Sequence, residues 1–433
     1  DDDDVQTKSA YVIMDVTNPE KPPKLIAEVS PPGLNLTTSF PAVAAFGTPT
    51  EPGTAPSTNE WYLIFGNGPE SVGDAVSSTN ARLYAYDLED LVNGGDGLVT
   101  AGFFDPTGDP VGAGFDLGEP ESFVSDPVVR DDDLDMRAEV LYFGTVGDLD
   151  SNEGKILRVP LGEQPDADSW AEPHVLLDAG QPFVGQLSVT VDQFFEPWVI
   201  GGTGRLYVTQ DKANSEQQSL YGFIDPNERT SLTDRNEAPI ADFVDVTGYR
   251  VFDDGSVSTD GDTTGDTTFT DVANDVRAAG GWVRNFDNPG GVPSQRTINR
   301  SPLVNGVLFS TAFAPADDIC GNDGEGELIA LDFLTGTPRP ARILGGVDVV
   351  VPCPGCPDST VTESLPSVSL GVGVPSPASI HVDGRGAGRV GSGTSGDITV
   401  IVQKSTGAIQ TDDATVGAGP NPGEMSWREY RDF

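Results

Sequence analysis

Asp131, Asp133 and Asp135 fall at every second position of the stretch VSDPVVRDDDLDMRAEVLYFGTVGD (Val124–Asp148), and Arg137 and Glu139 continue the spacing. Alternate residues of an extended or looping backbone point to one side, so three aspartates and Glu139 can converge on one point. Crowding like charges costs roughly 1 kcal/mol per pair at ~4 Å even in bulk water. A hard cation with oxygen ligands removes that cost, and calcium accepts about six to eight of them in flexible geometry. The stretch therefore reads as a calcium loop between two short strands, Pro127–Val129 and Val140–Phe143. The competing reading is an acidic surface turn in a very acidic protein.

Other chemistry-bearing patterns are weaker. Asp148-x-Asp150-x-Asn152-x-Gly154 has the first half of an EF-hand loop, but Val159 stands where the twelfth-position acid belongs, so a turn between strands is expected. The acids of Asp253–Asp266 (Asp253, Asp254, Asp260, Asp262, Asp266) lack tight spacing and read as a solvated loop. Gly386-x-Gly388-x-x-Gly391 matches a dinucleotide fingerprint by letters only, since no helix follows it to receive a phosphate. No Walker A sequence and no Gly-x-Ser-x-Gly elbow occurs. The two histidines, His174 and His381, are far apart in sequence and read as structural or exposed. Paired acids for glycoside hydrolysis could hide among 68 carboxylates, but the Ser-x-Asp-x-Gly-x-x-Trp turn of sialidase-type propellers is absent.

The chain around these residues is 433 long, with 52 glycines, 35 prolines and almost no sustained helical periodicity. Short β-rich runs broken by Gly, Pro, Asp and Asn argue for an all-β fold. Asp and Glu total 68 against 24 Lys and Arg, a net charge of −44, which makes nucleic acid and anionic lipid poor partners. No run of apolar residues is long enough for a membrane-spanning helix. Three cysteines (Cys320, Cys353, Cys356) cannot complete a four-cysteine zinc site, and Pro357 after CPGC rules out c-type haem attachment. An exported chain would form one disulfide, its pairing undecided. The opening DDDD, without Met or a signal peptide, reads as part of something longer.

A three-strand pattern recurs along the chain. SFPAVAAF, WYLIFGNG and ARLYAYDLED form the first set; SDPVV, EVLYFGTVGD and GKILRVPL the second; GQLSVTV, PWVIGGTG and SLYGFID the third; RSPLV, GVLFSTAF and GELIALDFLTG the fourth. A fifth, SPASIHV and ITVIVQ, lacks a clear third strand, and SAYVIMD (Ser9–Asp15) has the form of the missing one. Repeated small antiparallel sheets point to a modified β-propeller of about five to seven blades in one domain, 1–433, with the ring closed by the N-terminal strand; two stacked sandwiches are the alternative. Insertions would form the working faces: Asp105–Glu121, Pro352–Leu365, and 252–281, a polar loop followed by a short helix at Asp271–Ala279.

Taken in order, these residues resemble the C-terminal propeller of the PilY family, type IV pilus tip adhesins and biogenesis factors. The similar segments are YVIMDVTNPE, WYLIFGNG, the acidic turn leading into LYFGTVGDLDSNEGKILRV, GGTGRLYV with QQSLYGFID, GGWVRNF, SPLVNGVLFSTAFAPADDIC with GELIALDFLTG, and the terminal SWREY. The resemblance implies a calcium loop in which Asp131, Asp133 and Asp135 take the first three ligand positions. The Arg137 carbonyl would be the main-chain ligand, and Glu139 stands where the family usually has Asp. It also implies an extracellular or cell-surface, non-enzymatic protein that works with minor pilins and the pilus tip complex, and binds surface or host-cell ligands. The family's von Willebrand A-like region is absent from this sequence, and no Arg-Gly-Asp triplet occurs. Two other readings stay open. GELIALDFLTG is similar to repeats of quinoprotein dehydrogenases, although the five tryptophans follow no period and no Cys-Cys pair exists. The chain could also be a structural module of a secreted filament.

Overall fold

The structure, a computed structural model, describes residues 9–46, 60–73, 75–99, 114–131, 137–147, 153–161, 171–227, 233–288, 293–316, 324–351, 359–382 and 397–415. The chain packs as two compact units: Asp1–Leu187 with Asn227–Glu237, and Ser188–Pro226 with Ala238–Phe433.

In the first unit, Ala42–Phe46, Glu60–Gly66, Arg82–Asp87 and Phe115–Asp116 form an antiparallel meander, the first repeat sheet. The second repeat sheet runs His174–Asp178, Lys155–Pro160, Val140–Gly147, Ser122–Val124, and Val128–Arg130 also pairs with Val140–Gly147. Period-two alternation decides what each face buries. Ala44, Phe46, Tyr62, Ile64, Leu83 and Ala85 pack against Leu141, Phe143, Leu157 and Val159 of the second sheet. Their sequence neighbours Leu63, Phe65, Tyr84 and Tyr86 turn to the opposite face. A strand buried on both sides must be apolar at consecutive positions, and WYLIFG is such a run.

The opposite face of the first sheet is covered by a hairpin of Tyr11–Asp15 and Lys24–Val29. The ring closure expected from the N-terminal strand is therefore not formed by these pairings. The turn-rich NPEKPP returns the chain at once, and a local partner wins over a distant one. Tyr11 packs on Phe65 with tilted rings, centroids 4.3 Å apart, and donates its hydroxyl to the Ser39 carbonyl. The third strand of the last sheet is Ile409–Thr415, paired with Asp397–Gln403, which in turn pairs with Ser379–Val382.

In the second unit, Ser188–Val191, Pro197–Gly202, Ser219–Ile224 and Gly281–Asn285 repeat the meander, with Val244–Asp245 added in parallel. Leu303–Val304, Val307–Pro315, Gly324–Asp332 and Ser367–Val372 form the next sheet. Leu308, Ala312, Ile329 and Leu331 meet Trp198, Ile200, Leu220 and Trp282 on one side of it, while Phe309, Leu328 and Ala330 meet Ile398, Val400 and Val402 on the other.

The stretch 252–281 is ordered rather than an unpatterned loop. Arg250–Val251, Ser256–Ser258 and Thr267–Thr268 make a small antiparallel sheet, and a helix runs Phe269–Ala279. Thr268 caps the helix by accepting the Asp271 N–H, Gly280 ends it in the left-handed region, and Val272 and Val276 enter the core. Arg250 clamps Glu363 of the hairpin Gly346–Val351/Ser359–Ser364 through two bonds, 3.0 and 2.5 Å.

Candidate metal centre

The acidic turn joins two paired strands. Val128–Arg130 lies antiparallel to Val140–Tyr142, with Arg130 opposite Val140, and the Glu139 N–H donates to the Arg130 carbonyl at 2.9 Å. Asp131 directly follows Arg130, and Glu139 directly precedes Val140. Asp131 is half-buried, Arg137 is half-buried, and Glu139 is 6% exposed. Asp133 and Asp135 lie outside the described residues.

The neck of the turn is fixed by main-chain bonds. Ala138 N–H donates to Ala45 O at 3.0 Å, tying the turn to the first sheet, and Leu161 N–H donates to Glu139 O at 2.8 Å. The Glu139 N–H and C=O are thus both engaged in main-chain bonds. Arg130 Nη1 donates to Tyr142 Oη at 2.5 Å, and its guanidinium carbon lies 5.3 Å from the Tyr142 ring centroid. Asp131 and Glu139, the described carboxylates at the two ends of the turn, are hard oxygen donors of the kind calcium takes. Among the described residues no group of three or more acid, His or Cys ligands assembles.

The other sequence candidates resolve separately. Asp148, Asp150 and Asn152, all three cysteines, and Gly386, Gly388 and Gly391 lie outside the described residues. In the 252–281 stretch the acids serve local turns. Asp254 accepts from Ser256 N–H and Oγ, Asp260 from Ser258 Oγ and Asp262 N–H, and Asp266 from Thr259 N–H and Oγ1. Asp253 bonds Thr362 N–H at 3.1 Å. His381 is exposed on its strand, and His174 is buried opposite Arg158.

Sequence reasoning missed the buried cations. Arg158 is fully buried opposite Tyr142, and Arg296 donates to the carbonyls of Arg205, Asp211, Asn214 and Ser294. The available signal was an arginine inside the apolar run KILRVP.

No family model and no curated protein matches the chain. Among solved structures, the crystal structure of the Pseudomonas aeruginosa PilY1 C-terminal domain superposes with a TM-score of 0.55 over 95% of this chain and 80% of that one, at 17% identity. The chain has the PilY1 C-terminal fold. A puromycin hydrolase mutant complexed with PGG reaches a TM-score of only 0.27, at 13% identity over 92% of this chain and 49% of its own, and carries no argument. Among the described residues of this PilY1-like chain, no helix is long and apolar enough to cross a membrane.

Proposed function

We propose that the chain is a calcium-binding, pilus-tip-associated adhesin and type IV pilus biogenesis factor, its repeated sheets serving as blades of a modified β-propeller. The observation that carries the reading is the PilY1-like fold with an acidic hairpin turn in its second repeat. The protein would act outside the cell, without catalysis, through minor pilins, the pilus tip complex and surface or host-cell ligands.

The chain's own residues set what the turn can do. Asp131 and Glu139 bring two negative charges to the ends of a turn whose neck is held by main-chain bonds. Asp133, Asp135 and the Arg137 carbonyl would complete the ligand set. Calcium, when bound, supplies the positive charge that lets these acids share one turn. Calcium held by the turn would bias a partner-binding surface between two states. Calorimetric titration of chelator-treated protein with calcium tests the site; binding in the wild type that is lost in Asp133→Ala supports it. Loss of surface pili in a strain lacking the protein, restored by the wild type and not by Asp133→Ala, tests the pilus role.

A further inference from the structure

We infer that the outer edge of Ile409–Thr415, the last strand of the last repeat sheet, receives an added β-strand from a partner protein that carries adjacent basic residues. Each of the other repeat sheets has at least four strands. The last is built, among the described residues, from three: Ser379–Val382, Asp397–Gln403 and Ile409–Thr415. All seven residues of Ile409–Thr415 pair with Asp397–Gln403 on the inner side, and no described strand pairs with the outer side. The ladder fixes which groups face out. Ser376 donates its N–H to the Gln403 carbonyl at 2.7 Å and accepts the Gln403 N–H on Oγ at 3.1 Å. Gln403 thus turns both main-chain groups away from its register partner Ile409. Lys404, the next residue, donates instead to the Ala408 carbonyl at 2.8 Å. Successive pairs of an antiparallel ladder alternate in this way, so Ile409, Thr411 and Asp413 direct N–H and C=O outward.

A row of outward main-chain groups is a template for one more strand, bound by main-chain bonds and selected by side chains. The row is seated on packed structure, since Ala414 is buried with Val400 and Val402. Ile409 is 65% exposed, and Thr411 and Asp413 are exposed as well. The side chains say what the added strand must carry. Asp412 and Asp413 are adjacent and so lie on opposite faces. A second copy of this chain fits badly. Antiparallel pairing with full overlap, Ile409 opposite Thr415, sets Asp412 against Asp412, and like charges directly opposite are destabilising. Each copy also carries a net charge of −44, which opposes association. A strand with lysine or arginine at two successive positions meets one aspartate on each face. The same pair of acids thus keeps copies apart and admits a basic strand.

The test titrates the full chain with two capped synthetic peptides of the edge's own length, alternating valine and threonine. One has two adjacent central lysines and the other two glutamates there. Calorimetry reads binding, and amide hydrogen exchange reads the edge. The lysine peptide is expected to bind tighter than the glutamate peptide by on the order of 10-fold, through two charge pairs in place of two repulsions, and to slow exchange at Thr411 and Asp413. Thr411→Pro removes an outward N–H that the sheet does not use, so it should abolish binding and keep the thermal midpoint near wild type. The double variant Asp412→Asn, Asp413→Asn should erase the preference between the peptides. No binding of the lysine peptide up to millimolar overturns the inference. So does lysine-peptide binding that Thr411→Pro leaves intact, which is attraction to the acidic surface at large. Wild-type self-association that Thr411→Pro removes gives the edge to a second copy and overturns it too. Should Thr411→Pro fail to fold, unchanged exchange at Thr411 and Asp413 under saturating lysine peptide overturns it without the variant.

Discussion

The Ser39 hydroxyl donates to the main-chain carbonyl of Ser125 at 3.0 Å, joining the start of the first repeat sheet to the start of the second. The same oxygen accepts the Gly66 N–H at 3.3 Å, and Ser125 Oγ accepts the Gly144 N–H at 2.9 Å. The device recurs in the second unit, where Ser376 Oγ accepts the Gln403 N–H and its carbonyl accepts from Thr311 Oγ1. Both serines of the first unit are buried, so losing either bond leaves a polar group away from water. Ser39→Ala is expected to destabilise the protein by about 1–2 kcal/mol, read from the denaturant midpoint at constant slope. A midpoint equal to wild type would show that water replaces the link.

In the second unit the strand Pro197–Gly202 approaches a neighbour too closely for a side chain. A Cβ at Gly202 would lie 2.0 Å from Thr297 Cγ2. Gly202→Ala is expected to cost about 1–3 kcal/mol. Adding Thr297→Ser removes the clashing methyl, keeps the hydroxyl that donates to Thr311 O at 2.9 Å, and should recover part of the loss. Equal stability of single and double variants would contradict the clash.

Much of this arrangement was legible in the residues. Runs such as WYLIFG and GVLFSTAF are apolar at consecutive positions because both faces of their strands are covered. The acidic turn was legible as a strand-to-strand corner because its flanks VV and VLYF are β-formers on either side of charge. What escaped was set by pairing rather than by pattern. Ile409–Thr415 is a strand through its register with Asp397–Gln403, yet it carries adjacent aspartates and buries Ala414, so it has no apolar alternation to read. The N-terminal strand was assigned to that place on its form alone, and a short return to Lys24–Val29 claimed it. The sheet within 252–281 is held by hydroxyl-to-carboxylate contacts, which polar composition disguises as loop.

Those contacts make the stretch acid-sensitive. Hydrogen bonds from the Thr259 side chain and N–H hold the Asp266 carboxyl below its ordinary pKa, and the Ser256 side chain and N–H do the same for Asp254. A depressed folded-state pKa contributes stability that is present above the unfolded value, about 4, and lost as pH falls through the lower folded value. Asp266→Asn should flatten the fall in stability over that acid window while changing little near neutrality. Denaturant midpoints collected across the window check it; parallel curves for variant and wild type would contradict the assignment.

The most direct measurement of the central claim is calcium titration of chelator-treated wild type beside Asp131→Asn, Asp133→Ala and Glu139→Gln. The account predicts saturable binding in the wild type, weakened in each variant, with the calcium-dependent rise in thermal midpoint reduced in parallel. No binding up to millimolar calcium, or the same affinity in Asp133→Ala as in the wild type, would contradict it.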